Sequence, residues 1–137
     1  MGANTQFSIA VHVLAGLGVR GAAAPSRSLA HSVNACPSFV RRVMSKLAKA
    51  DLVRTTTGKS GSCALAREPG KISLLEIYRA VEAPKAFAIH HYEAQRQCEV
   101  SCGIKPALQK VLDKTQSSLE ASLRKMTLAD VLKDLKH

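Results

Sequence analysis

The chain has no tryptophan, and only three phenylalanines and two tyrosines among its 137 residues. A core so poor in rings is built from leucine, valine and alanine, which favours packed helices over a β-sandwich. No apolar run reaches the length needed to cross a bilayer, so no membrane partner is expected. Met1 to Gln6 show no basic stretch leading into an apolar one, and Gln6 stands where a myristoylation motif wants Ser or Thr. The expected location is the cytoplasm. The five histidines, at 12, 31, 90, 91 and 137, follow neither metalloprotease nor deaminase spacing. No glycine-rich phosphate loop opens a helix, and there is no nucleophile elbow or carboxylate pair. The expectation is a protein that is not an enzyme. No internal repeat or low-complexity tract interrupts it.

Apolar residues make up 46% and charged residues 22%, the balance of a globular domain with a modest core. The net charge is +10, and it is unevenly spread. Residues 1–67 hold nine Lys and Arg against one acid, Asp51, leaving +8, whereas residues 68–137 hold eleven against nine acids, leaving +2. A folded module with this asymmetry attracts polyanions, because bound Lys and Arg displace counterions condensed on phosphate. The plainer alternative is a solvated basic face kept for solubility.

From Phe7 to Val19 apolar residues recur at helical spacing, and Gly18 with the stretch 21–25 is expected to end that helix. Ser26 is suited to cap a short helix over 27–33. After a tight connection, 34–36, Pro37 suits the first turn of a helix reaching about Ala50. In it Val40, Val43, Met44 and Leu47 fall on one face, leaving Ser38, Arg41, Arg42, Ser45, Lys46 and Lys49 largely on the others. Two short helices joined by three residues, the second with a basic face, form a helix-turn-helix. The β-branched stretch 52–57, a polar basic turn over 58–62 and a return strand over 63–66 read as a hairpin wing. Its tip is placed to touch phosphate or enter a minor groove. Ser73 then caps a helix over 74–81, with Glu76 completing a capping box.

Residues 82–103 read as a loop or broken helix. Pro106 is expected to start the last long helix, on which Ile104, Leu108, Val111, Leu112, Thr115, Leu119 and Leu123 form one stripe. Such a stripe needs a partner surface: a second copy of the chain, as expected here, or the chain's own first helix. Thr127 caps a final helix over 128–135. The fold class expected is mainly α: a winged helix-turn-helix with a two-stranded hairpin wing and a long C-terminal dimerisation helix. The organisation is 1–83 for DNA binding, 84–103 as a sensor or linker segment, and 104–137 for the dimerisation and C-terminal helices.

The segments 26–33, 37–47, 50–53, 66–69, 72–82 and 126–131 together resemble the Rrf2 family of winged-helix regulators across nearly the whole chain. The stretch from Ile72 to Glu82 is its most specific motif, and the likeness is strongest to the cluster-free, YwnA-like branch. The resemblance implies a homodimeric repressor of double-stranded DNA with a recognition helix in the major groove. The matching positions are Pro37, Ser38, Phe39, Arg41 and Arg42, with Ser26, Ser28 and Lys46 flanking them. Thr57, Lys59 and Ser60 match the wing tip, Thr57 where some relatives place a minor-groove arginine. Arg41 and Arg42 are the candidates for base edges, since Arg binds guanine through two hydrogen bonds. Arg41 departs from the acidic residue of the family's iron–sulfur-cluster regulator, so that target sequence does not transfer.

Cluster-binding relatives use three cysteines before the dimerisation helix; here that segment has only Cys98 and Cys102. No iron–sulfur cluster, other metal or cofactor is therefore expected. A thiol switch at Cys98 and Cys102 is the preferred sensing device, with Cys36, just before the helix that begins at Pro37, as a further candidate. Cys63, in the return strand, is read as structural. Three alternatives stay open: a cluster-bearing regulator, a small-molecule-responsive regulator, and a winged-helix module that binds protein.

Overall fold

Helix α1, Gln6–Arg20, buries Ile9, Ala10, Val13, Leu14 and Leu17 along one side and ends at Gly21, a left-handed residue with φ 66°. Gly21 donates its N–H back to the Leu17 carbonyl at 3.0 Å, closing the last turn. The helix thus runs past Gly18, which was expected to end it. Gly18 has a packing reason instead: a Cβ there would lie 2.7 Å from Leu132 Cδ1. These observations come from a computed structural model, which describes residues 5–56 and 61–135.

A two-residue strand β1, Ala24–Pro25, leads into α2, Ser26–Val33. Pro25, not Ser26, takes the cap position of α2, and the Ser26 N–H, which has no partner within the helix, donates to the Gly61 carbonyl at 3.1 Å. Asn34, left-handed at φ 54°, turns the chain into α3, Pro37–Lys49, with Pro37 in its first turn. Val40, Val43, Met44 and Leu47 are buried at the expected helical spacing. Strands β2, Val53–Thr55, and β3, Ser62–Leu65, form the hairpin, with Arg54 opposite Ala64. The hairpin gains a third member, since β1 pairs with the other edge of β3 and Ala24 faces Cys63.

A short 3-10 turn, Pro69–Lys71, precedes α4, Leu74–Ala80. Ser73 Oγ accepts the Glu76 N–H at 3.1 Å, but the Glu76 carboxylate bonds Arg67 instead of returning to the cap. The long helix α5, Glu99–Lys125, starts seven residues before Pro106, which lies inside it. Pro106 has no N–H for the Cys102 carbonyl, a defect the helix carries near its first turns. Helix α6, Leu128–Asp134, has a complete capping box between Thr127 and Asp130. Its entry is laced to that of α4: Leu74 N–H donates to the Met126 carbonyl and Leu128 N–H to the Ile72 carbonyl, both at 2.9 Å.

The chain divides into two compact units, Met1–Ala83 with Leu123–His137, and Pro84–Ser122. The first holds the apolar core, built on Leu14, Leu17, Leu47, Ile72, Ile77 and Leu128. Of the segment 104–137, expected to hold the dimerisation helix and the C-terminal helix, residues up to Ser122 fall in the second unit and those from Leu123 in the first. In the second unit, the stretch from Pro84 to Cys98 has neither helix nor strand and leads into α5.

Candidate nucleic-acid interface

Helix α3 owes its orientation to its four buried residues, which fix Pro37, Ser38, Arg41 and Arg42 on the exposed side. Phe39, expected among them, is half-buried and packs against the core. Ser26 and Ser28 at the start of α2 are half-buried, and the Ser28 hydroxyl donates to the Pro25 carbonyl at 3.0 Å. Arg27 and His31 of α2 join Pro37 and Arg41 of α3 around one hollow. Arg27 was not singled out from the sequence, although it sits between the two serines that were.

Lys46 does not join this surface. Its ammonium donates to Gln6 Oε1 at 2.8 Å and to the Val81 carbonyl at 3.4 Å, with the Glu82 carboxylate at 3.8 Å. The helical pattern placed Lys46 off the core face, but α1 and the end of α4 cover that side too. On the wing, Thr57, Lys59 and Ser60 lie outside the described residues. The strands below are held by the Thr56 N–H on the Ser62 carbonyl at 2.9 Å, and Arg54 of β2 is exposed, a second cation not anticipated.

Cys36 sits immediately before Pro37, exposed, with its Sγ 3.2 Å from Ser38 Oγ. The Ser38 hydroxyl, then the backbone N–H groups of Phe39 and Ser38, hold its pKa below the ordinary thiol value, and Arg41 adds a smaller push the same way. Cys63 is the opposite case: it is buried in β3, and burial raises its pKa.

In the other unit, Cys98 precedes the first residue of α5 and its Sγ accepts the Ser101 N–H at 3.3 Å, the place and bond of an N-cap. Cys102 is one turn on, and its S–H donates to the Gln95 carbonyl at 3.3 Å. Both thiols are exposed. Along α5, Ile104, Leu108, Leu112 and Leu119 are half-buried and Val111 is 57% exposed. Thr115 is exposed and spends its hydroxyl on the Val111 carbonyl of its own helix. Leu123, expected on the same stripe, packs against the core of the first unit.

The Rrf2 family profile, described as an iron-dependent transcriptional regulator, matches residues 3–134. The chain is 33% identical over 132 residues to the "Putative HTH-type transcriptional regulator YwnA" of Bacillus subtilis, covering 96% of this chain and 98% of YwnA. A candidate transcriptional regulator from Lactobacillus plantarum superposes with a TM-score of 0.83 at 26% identity, over 97% of this chain and 91% of the other. CymR of B. subtilis, its global cysteine regulator, shares the fold at TM-score 0.69 and 20% identity, over 97% of each chain.

The family's description names iron. Among the described residues no three His, Cys, Asp or Glu side chains are grouped to hold a metal. The Cys98 sulfur accepts an N–H from the first turn of α5 and the Cys102 S–H donates to the Gln95 carbonyl ahead of the helix, whereas a cluster ordinarily takes four protein ligands. The recognition-helix geometry, the family match over residues 3–134 and the likeness to YwnA lead to one conclusion: the chain belongs to the Rrf2 family of transcriptional regulators.

Proposed function

We propose that the chain acts as a homodimeric repressor that reads double-stranded DNA with α3 and is released when its exposed thiols are oxidised or alkylated. The observation that carries the DNA reading is the pairing of Arg41 and Arg42, both exposed, with a buried opposite face on the same helix. That helix belongs to the half of the chain with a net charge of +8. Arg41 and Arg42 would address base edges, while Arg27, Arg54 and the wing tip hold phosphate.

Dimerisation is supported by α5 itself: of its 27 residues only Gln116 is buried, although the helix carries Ile104, Leu108, Val111, Leu112 and Leu119. Two copies joined there would offer two recognition helices to successive major grooves, spaced about 34 Å apart on a two-fold symmetric site. A dimer so bound over a promoter blocks polymerase. The signal enters through Cys98 and Cys102, with Cys36 acting directly on the DNA-reading helix, and without an iron–sulfur cluster.

The test is duplex binding by fluorescence anisotropy across a salt series, on fragments selected from genomic DNA by the purified protein with and without diamide. Affinity that falls steeply with salt, and fragments that share a two-fold motif, support the reading. Indifference to duplex DNA at low ionic strength overturns it. Iron content and a visible spectrum of protein purified without oxygen check the absence of a cluster.

A further inference from the structure

Within residues 84–122 the loop after Pro84 is hydrogen-bonded to α5, and two of those bonds bracket a hollow. The Ala86 N–H donates to Gln116 Oε1 at 3.0 Å, and the Tyr92 hydroxyl donates to the Ser101 carbonyl at 2.8 Å. Between these points the loop and α5 line a hollow of about 610 Å³, within the range of small-molecule sites. Three features of its lining specify a ligand. The rings of His90 and Tyr92 stack with centroids 4.8 Å apart and planes 25° from parallel, giving a flat aromatic wall. Phe87, in a chain with only three phenylalanines, lies in the same lining yet is 62% exposed. Two ammonium groups, Lys85 and Lys105, stand around the hollow, and no carboxylate side chain is among the described residues that line it.

An apolar flat body is drawn to the rings by burial and stacking. The lysines, facing no acid of their own in the lining, select a negative charge. We propose that this hollow binds a planar aromatic carboxylate of one or two fused rings. The ring system lies against the His90–Tyr92 wall beside Phe87, and the carboxylate pairs with Lys85 and Lys105. Cys102 forms part of the same lining, and Cys98 does not. An occupied hollow therefore covers one thiol of the pair and leaves the other open. The site lies outside the helix-turn-helix, and its occupancy does not depend on the DNA-binding reading.

The experiment uses the full chain without DNA and 1-naphthoate as the probe. Calorimetry is run against 1-naphthylmethanol, which keeps the rings and lacks the charge, and the alkylation rates of Cys98 and Cys102 are followed by mass spectrometry. The expected result is saturable binding at one site per chain, weakened about tenfold or more for the alcohol, the loss of roughly one ion pair. The variant carrying Lys85→Met and Lys105→Met, both on exposed residues, shows the same loss, and Tyr92→Leu weakens both probes alike. Bound naphthoate slows alkylation of Cys102 and leaves Cys98 unchanged. No saturation at millimolar probe, unchanged affinity in the double variant, or equal protection of both thiols would each overturn the assignment. Because no DNA is present, failure here leaves the duplex-binding result standing, and the reverse holds too.

Discussion

The Lys46 ammonium donates to Gln6 Oε1 at 2.8 Å, tying the middle of α3 to the first residue of α1. The same group reaches the Val81 carbonyl at the end of α4, so one side chain spans three helices. Its side chain is only 25% exposed, while its ionic partner Glu82 is 79% exposed. The hydrogen bonds therefore matter more than the ion pair. Lys46→Met is expected to cost about 1 kcal/mol of folding stability, and Glu82→Gln much less. If Lys46 is structural, the salt dependence of duplex binding is unchanged in Lys46→Met. A slope lowered by about one would return Lys46 to the phosphate contacts.

Arg41 and Arg42 are exposed on the same helix, and alanine at either should cost about 1–3 kcal/mol on a selected duplex. The loss should shrink on scrambled DNA, because a base contact is worth nothing where its base is absent. Equal losses on both duplexes would make the two arginines phosphate ligands. Size-exclusion profiles should not move in either variant, since neither residue lies on α5.

Cys36 and Cys63 should separate by alkylation at graded pH. The Ser38 hydroxyl and the α3 backbone lower the Cys36 pKa, so its thiolate appears at lower pH than that of an ordinary thiol. Ser38→Ala removes the largest of these contributions and should move the rate profile of Cys36 to higher pH. Cys63 is buried with a raised pKa and should react only when the chain unfolds. A raised folded pKa contributes stability that is whole at pH below the ordinary thiol value and lost as pH climbs through the folded one. Cys63→Ala should therefore flatten the alkaline limb of the stability curve. An unshifted Cys36 profile in Ser38→Ala would show that the hydroxyl does not hold the thiolate.

The helix-turn-helix was legible because its signals are local. Pro37 marks a first turn, and Val40, Val43, Met44 and Leu47 repeat at helical spacing. What the sequence hid depends on distant partners. Ala24–Pro25 is too short to show a period and becomes a strand only because β3 lies beside it. Lys46 belongs to the polar faces by spacing alone, and its partners come from residues 6, 81 and 82. Proline suits a first turn, so the sequence points to Pro106 as the start of α5, whereas the cap is a cysteine sulfur, which cap preferences do not anticipate. The wing tip, Thr57, Lys59 and Ser60, lies outside the described residues.

Gly16 and Gly18 are two positions apart on α1 and should respond differently to alanine. A Cβ at Gly16 would lie 3.5 Å from Leu29 Cδ2, an ordinary contact. Gly16→Ala should raise stability by about 0.5–1 kcal/mol through helix propensity. At Gly18 the new methyl would meet Leu132 Cδ1 at 2.7 Å and Cδ2 at 3.3 Å. The δ-methyls of half-buried Leu132 must shift to admit it, which should reduce or cancel the gain. Restoring the gain with Leu132→Ala in the Gly18→Ala background would tie the effect to α6. Equal stabilisation at both glycines would show that α6 yields freely.

Cys98→Ser offers an unusually clean test of the thiol switch. The sulfur of Cys98 occupies the N-cap position of α5 and accepts the Ser101 N–H at 3.3 Å. Serine is among the preferred residues at that position, so the variant keeps the cap and removes only the redox chemistry. Its folding stability and resting duplex affinity should match those of the parent chain within about 0.5 kcal/mol. Its release from DNA by diamide should be blunted. Cys102→Ser, whose hydroxyl can still donate to the Gln95 carbonyl, should behave likewise if the two thiols react together. A non-reducing gel then separates the routes: a covalent dimer that survives Cys102→Ser and vanishes in Cys98→Ser means pairing between chains. Undiminished diamide release in both variants would remove this pair from the sensing mechanism and leave Cys36, whose thiolate is already favoured at the start of α3, as the site to test next.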